Sequence, residues 1–88
     1  MASYEIEISR SAEKQLTRLD RPAQIRLLKA IVKLADDPRP LGVRKLKGYA
    51  DVYRLRVGAY RVLYSVAKQE LVVIVLKIGH RREVYRDR

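Results

Sequence analysis

The sequence predicts an α+β domain of two layers, an N-terminal strand and a helical hairpin packed on a small antiparallel sheet. Three observations carry this. Apolar residues alternate with polar ones at residues 4–8 and again from residue 52, but recur at helical spacing between Ala12 and Ala35. The order is therefore strand, helix, helix and then three strands, which lets one helical hairpin cover one face of one sheet. The chain has 88 residues, 48% of them hydrophobic, enough for one core and too few for a second. Residues 1–88 are accordingly read as a single domain.

Each element has its own signal. Residues 4–8 read Tyr-Glu-Ile-Glu-Ile, which puts Tyr4, Ile6 and Ile8 on one face of a half-buried strand. Ser9 or Ser11 can cap the helix that follows, because a hydroxyl accepts from the free N–H groups of a first turn. Ala12, Leu16 and Leu19 form its apolar side. Asp20-Arg21-Pro22 ends that helix and starts another, with Asp20 as N-cap and Pro22 in the first turn. The second helix runs to about Ala35. Ile25, Leu28, Val32 and Ala35 form its stripe, widened by Leu27, Ile31 and Leu34, with Arg26, Lys29 and Lys33 facing away. Pro38 and Pro40 prevent its continuation.

A short basic segment, residues 43–47, is closed by Gly48. Three strands follow at residues 52–57, 60–66 and 71–78. Gly58-Ala59 and Lys68-Gln69-Glu70 are the turns between them, so the strands form an antiparallel meander. The last is apolar on both faces and belongs inside the sheet. Gly79 permits a bulge or bend at its end. The sheet face away from the helices has nothing left to cover it, and function is expected there.

The net charge is +10, from 20 Lys and Arg against 10 Asp and Glu. Residues 44–88 contribute +8 of it. Such a surplus suits a polyanionic partner: nucleic acid, an anionic membrane or an acidic protein. All 6 aromatic residues are tyrosines, and Tyr49, Tyr53, Tyr60, Tyr64 and Tyr85 lie in the basic half. Tyrosines among cations can stack bases, although strand tyrosines commonly pack a core.

Other classes are excluded. Without cysteine there is no disulfide framework, thiolate metal site or thiol nucleophile, and His80 alone cannot build a metal site. No cofactor is expected. The longest apolar run, residues 71–76, is far below the roughly 18 residues a membrane span requires. No basic amphipathic helix is left uncommitted, so no membrane partner is expected. Met1-Ala2-Ser3-Tyr4-Glu5 lacks the features of a signal peptide, and the expected compartment is the cytoplasm.

Alternation sorts the basic residues. Arg54 and Arg56 share one strand face, roughly 7 Å apart, and Tyr53, Leu55 and Val57 share the other. Arg61 follows a two-residue turn and can lie beside them. Gly79-His80-Arg81-Arg82 ends the last strand, with Tyr85 four residues beyond Arg81. The expected cluster is Arg54, Arg56, Arg61, Arg81 and Tyr85, with Lys45 and Lys47 at its rim. Guanidinium groups grip phosphate bidentately and stabilise charge on a phosphorane-like transition state. From the residues alone, phosphate binding is favoured over catalysis, because no Glu–His or His–His pair is visible.

Four blocks carry a resemblance that covers nearly the whole chain. They are Lys45-Leu46-Lys47-Gly48, Val52-Tyr53-Arg54-Leu55-Arg56-Val57, Tyr60-Arg61-Val62-Leu63-Tyr64 and Ile78-Gly79-His80-Arg81-Arg82-Glu83-Val84-Tyr85. In this order the chain resembles the RelE/ParE superfamily of type II toxins, and within it the RelE-like mRNA interferases. The resemblance implies a ribosome-dependent endoribonuclease that cuts mRNA in the 30S A site. The 2′-hydroxyl attacks the adjacent phosphate to leave a cyclic phosphate, without a metal. It implies a RelB-like antitoxin partner and promoter contact only through the antitoxin complex. Arg61 and Arg81 match arginines that hold the scissile phosphate, and Tyr85 matches a tyrosine that stacks on an mRNA base. Arg54 and Arg56 stand where the best-studied pattern has lysines. Arginine, with a pKa above about 12, cannot serve as general base. Lys45, Lys47 and His80 are the substitutes on offer, and Lys45, Lys47, His80 and Arg82 are read as RNA- or ribosome-binding positions. The rival readings are a ParE-like gyrase poison without nuclease activity and a non-catalytic RNA- or ribosome-binding module.

Arg81→Ala is expected to abolish growth arrest on induction while the protein remains folded, read as colony formation alongside circular dichroism. Tyr85→Phe should keep much of the effect if the ring only stacks, and Tyr85→Ala should lose it.

Overall fold

Capping and alternation set the first half of the molecule. The computed structural model describes residues 3–80; Arg81, Arg82 and Tyr85 lie outside them. Strand β1 (Glu5–Ile8) exposes Glu5 and Glu7 and turns Ile6 and Ile8 to the core. Helix α1 (Arg10–Thr17) is capped by Ser9, whose Oγ accepts from the Ala12 N–H at 3.0 Å and donates to the Leu76 carbonyl at 2.9 Å. One hydroxyl thus starts the helix and ties it to the last strand. Helix α2 (Arg21–Lys33) begins as the sequence predicts, with Asp20 Oδ1 accepting from the Ala23 N–H at 3.3 Å and Pro22 in the first turn. Gln24 Nε2 donates to the carbonyls of Leu16 and Leu19 at 3.0 and 3.1 Å, closing the hairpin. The helix stops at Lys33, with Leu34 as C-cap, short of the expected Ala35.

The buried side of α2 differs from the expected stripe. Ala23, Leu27, Ile31 and Leu34 are the buried row, whereas Ile25, Leu28 and Val32 are exposed, Val32 by 62%. Apolar residues occupy most of the helix circumference. Periodicity alone therefore leaves the inward row undetermined, and packing on the sheet chooses it. Ala35 is half-buried, and its carbonyl accepts from the Tyr4 N–H at 2.8 Å just before β1.

The second half is strand. β2 (Arg44–Lys45), β3 (Val52–Val57), β4 (Tyr60–Ala67) and β5 (Val72–His80) join β1 in a sheet of order β1-β5-β4-β3-β2. β3, β4 and β5 form the expected antiparallel meander, and β5 lies inside the sheet. β1 runs parallel to β5, so the sheet is mixed rather than wholly antiparallel. The basic segment supplies a short fifth strand, with Arg44 opposite Arg54 and Lys45 opposite Tyr53. Val57 pairs with Tyr60 across Gly58-Ala59. Gly58 has φ +60°, and a Cβ there would stand 3.2 Å from Arg26 Nη1, so this turn favours glycine.

A register shift controls which side chains face which way. Tyr64 pairs with Val75 but Leu63 pairs with Lys77, leaving Leu76 unmatched as a β-bulge. Val73 and Val75 face the helices before the bulge, and Ile78 faces them after it; all three are buried. The bulge lies inside the strand, whereas the sequence suggested one at Gly79, which is a regular strand position opposite Arg61. The core forms between the helices and one sheet face, with Leu27, Ile31, Leu34, Val62, Tyr64 and Val73 among its best-buried members. Tyr64 stacks on Tyr53 with centroids 5.8 Å apart and donates its hydroxyl to the Pro38 carbonyl at 2.6 Å. Burial, then the neighbouring Tyr53 and Asp37, hold the Tyr64 phenol far above its ordinary pKa.

Leu27→Ala should cost about 2–5 kcal/mol and Val32→Ala less than about 1 kcal/mol, measured by urea unfolding, because only the first empties a packed volume. Tyr64 favours its neutral form in the folded state. Its stabilisation is fully present below the unfolded tyrosine pKa of about 10 and is lost as pH rises towards the higher folded value. Urea midpoints between pH 8 and 11 should fall, and Tyr64→Phe should lessen that fall.

Candidate nucleic-acid interface

The site grows out of strand register. Residues directly opposite on neighbouring strands point to the same face, with Cβ atoms about 4.5–5.5 Å apart. Arg44 pairs with Arg54, and Arg56 pairs with Arg61. Arg54 and Arg56 are two apart on β3 and so share that face. Four arginines therefore converge on the sheet face opposite the helices. With Gly42 they line a cavity of about 240 Å³. Like charges held directly opposite on a sheet oppose folding. Two such pairs in one cavity concentrate positive charge there. Nε and Nη1 of Arg61 are shielded from solvent, which strengthens the field they exert at the cavity.

The structure brings together Arg54, Arg56 and Arg61 as the alternation implied. It adds Arg44, which the sequence reading passed over in favour of its neighbours. Lys45 is opposite Tyr53 and so shares the helix-side face, away from the arginines. Lys47 is exposed in the turn between β2 and β3. His80 pairs with Tyr60, with ring centroids 6.0 Å apart in an edge contact, again on the helix side. Lys45 and His80 thus stand on the opposite face of the sheet from the arginines. Arg81, Arg82 and Tyr85 fall outside the described residues.

Lys77 is the second residue that sequence reasoning missed. Simple alternation from Val73 and Val75 would place it towards the helices. The bulge at Leu76 turns it to the arginine face, opposite Leu63, which is itself opposite Arg54. Lysine, unlike arginine, can give up its proton near neutral pH when its surroundings demand it. Among the described residues no group of three or more His, Cys, Asp or Glu is placed to hold a metal ion. No helix among them is long and apolar enough to cross a membrane.

Fold and face together define a class: a small α+β protein that gathers arginines on the sheet face opposite its helices. Comparison with known proteins narrows it. The family model for the ParE toxin of the type II toxin-antitoxin system parDE matches residues 6–85. The mRNA interferase toxin RelE of Escherichia coli K12 is 32% identical over 97% of this chain and 93% of its own. Toxin RelG of Mycobacterium tuberculosis is 27% identical over 94% and 97%. Among solved structures, the archaeal RelE–RelB complex from Pyrococcus horikoshii OT3 superposes with a TM-score of 0.81 at 34% identity, covering 90% of this chain and 96% of that one. The intact E. coli RelBE toxin-antitoxin complex gives 0.79 at 28% identity, covering 89% and 96%. The chain belongs to the RelE/ParE superfamily of type II toxins.

Proposed function

We propose that this chain is the toxin of a type II toxin-antitoxin pair and acts as an mRNA interferase, cutting ribosome-bound mRNA in the A site. The observation that carries this is the convergence of Arg44, Arg54, Arg56 and Arg61 on one cavity. The near-full-length similarity to a protein named as an mRNA interferase supports it.

The chemistry needs little from the protein beyond charge and position. The RNA 2′-hydroxyl attacks the adjacent phosphorus and the P–O5′ bond breaks; O5′ takes a proton from solvent and leaves as a hydroxyl, and a 2′,3′-cyclic phosphate remains. Negative charge grows on the non-bridging oxygens, and fixed guanidinium groups stabilise it without reorganising. Arg61 and Arg56 are paired to grip those oxygens. Arg44 and Arg54 bind the neighbouring phosphate. Arg81 adds a cation and Tyr85 stacks on a base, as the family resemblance implies. Lys77, on the same face, is the group we assign to accept the 2′-hydroxyl proton. No step requires a metal. A RelB-like antitoxin would neutralise the same face, as RelB partners RelE in the solved complexes.

A gyrase poison is the second reading, favoured by the ParE description of the matching family model. Sequencing of mRNA 5′ ends after brief induction separates the two. The interferase produces codon-phased cuts, reduced at least about 100-fold by Arg61→Ala and steeply by Lys77→Ala. Double-strand DNA breaks with intact mRNA would establish the gyrase reading instead.

A further inference from the structure

A second and larger cavity, about 350 Å³, opens on the other face of the same end of the sheet. Gln15, Arg18 and His80 form its polar wall, and Leu19, Tyr60 and Ile78 its apolar one. Gly79 also lines it and is the register partner of Arg61, which belongs to the arginine cavity. Tyr60 and Arg61 are consecutive on β4 and point to opposite faces. Only the thickness of the strand backbone therefore separates the two cavities. A polymer crossing this end of the sheet would meet both.

The chemistry of the second cavity suits one nucleotide. His80 is exposed, and its ring meets that of Tyr60 in an edge contact at 74°; an exposed imidazole is a ring on which a base can stack. Gln15 Oε1 accepts the Ile78 N–H at 2.7 Å. That bond fixes the amide and leaves Nε2 to donate to a base edge. Arg18, the exposed C-cap of α1, supplies a cation for the phosphate. Arg10, Lys14 and Arg18 follow one another at i, i+4 and i+8, about 6 Å apart along the axis, and all are exposed. The ladder extends the basic path away from the cavity along α1.

We infer that this cavity is a second nucleotide subsite, which holds the base and phosphate of the single-stranded RNA residue flanking the one whose phosphate lies among the arginines. The inference rests on the mRNA-interferase reading and adds a specificity-determining position to it. His80 stacks the base, Gln15 reads its edge, and Arg18 neutralises its phosphate. The arginine cavity carries no aromatic ring for a base to stack upon among the described residues lining it. The second subsite thereby gives the site a means of preferring one base next to the cut.

The test uses the full chain and a 2′-O-methyl RNA trinucleotide, which binds but cannot be cut. Affinity is measured by calorimetry at several salt concentrations. Arg18→Ala should weaken binding at least about fivefold and reduce the slope of log affinity against log salt by about 0.7, the loss of one phosphate contact. His80→Ala should weaken binding similarly, and His80→Phe, which keeps a ring, should restore it. Parent-like affinity and salt slope in both alanine variants would overturn the subsite, as would no measurable binding by the parent. Weakened binding in Arg61→Ala alone would also overturn it and leave the interferase reading standing. Absence of mRNA cuts in cells would refute the interferase reading, while the trinucleotide data would still decide the subsite.

Discussion

The register of β4 between β3 and β5 is the constraint on which the molecule depends. It turns Val62, Tyr64 and Val66 towards the helices and Arg61 and Leu63 away from them. The same pairing sets Arg56 against Arg61 and carries Tyr60 to His80. Core and site are therefore two sides of one strand. A one-residue slip would exchange them, placing Arg61 in the core and Val62 and Val66 in solvent. The register is specified strongly because that exchange is so unfavourable.

The core makes the arginine face affordable in the physical sense that apolar burial offsets repulsion. Leu27, Ile31, Leu34, Val62, Tyr64, Val73, Val75 and Ile78 are almost wholly buried, each contributing on the order of 1.5–3 kcal/mol of transfer free energy. Against this stand two cross-strand arginine pairs. On the proposed function, an RNA phosphate or an acidic partner segment would lower that repulsion on binding.

The bulge at Leu76 shows how a backbone irregularity serves a site. It lets β5 present Val73 and Val75, and then Ile78, to one core while bringing Lys77 to the arginines. The unmatched residue also offers its carbonyl to Ser9, which caps α1. The position of α1 sets the wall of the second cavity, since Gln15 and Arg18 both come from that helix region and Gln15 is bonded to Ile78. Helix cap, bulge and both cavities are in this way parts of one arrangement.

The sequence by itself determined the element order, a serine cap before α1 at Ser9 or Ser11, the Asp20 cap of α2, the turn at Gly58 and the shared face of Arg54 and Arg56, with Arg61 within reach of them. These follow from local rules: hydroxyl or carboxylate capping, the freedom of glycine, and period-two alternation within a strand. Tertiary structure alone decided which row of α2 lies inward, because apolar residues occupy most of that helix. It also decided that β1 runs parallel to β5, a pairing between segments more than 60 residues apart. It brought Arg44 opposite Arg54, turned Lys77 through the bulge and sent His80 to the other face. Each of these depends on which strand lies beside which and in what register, and that information resides in long-range pairing rather than in any stretch of neighbouring residues.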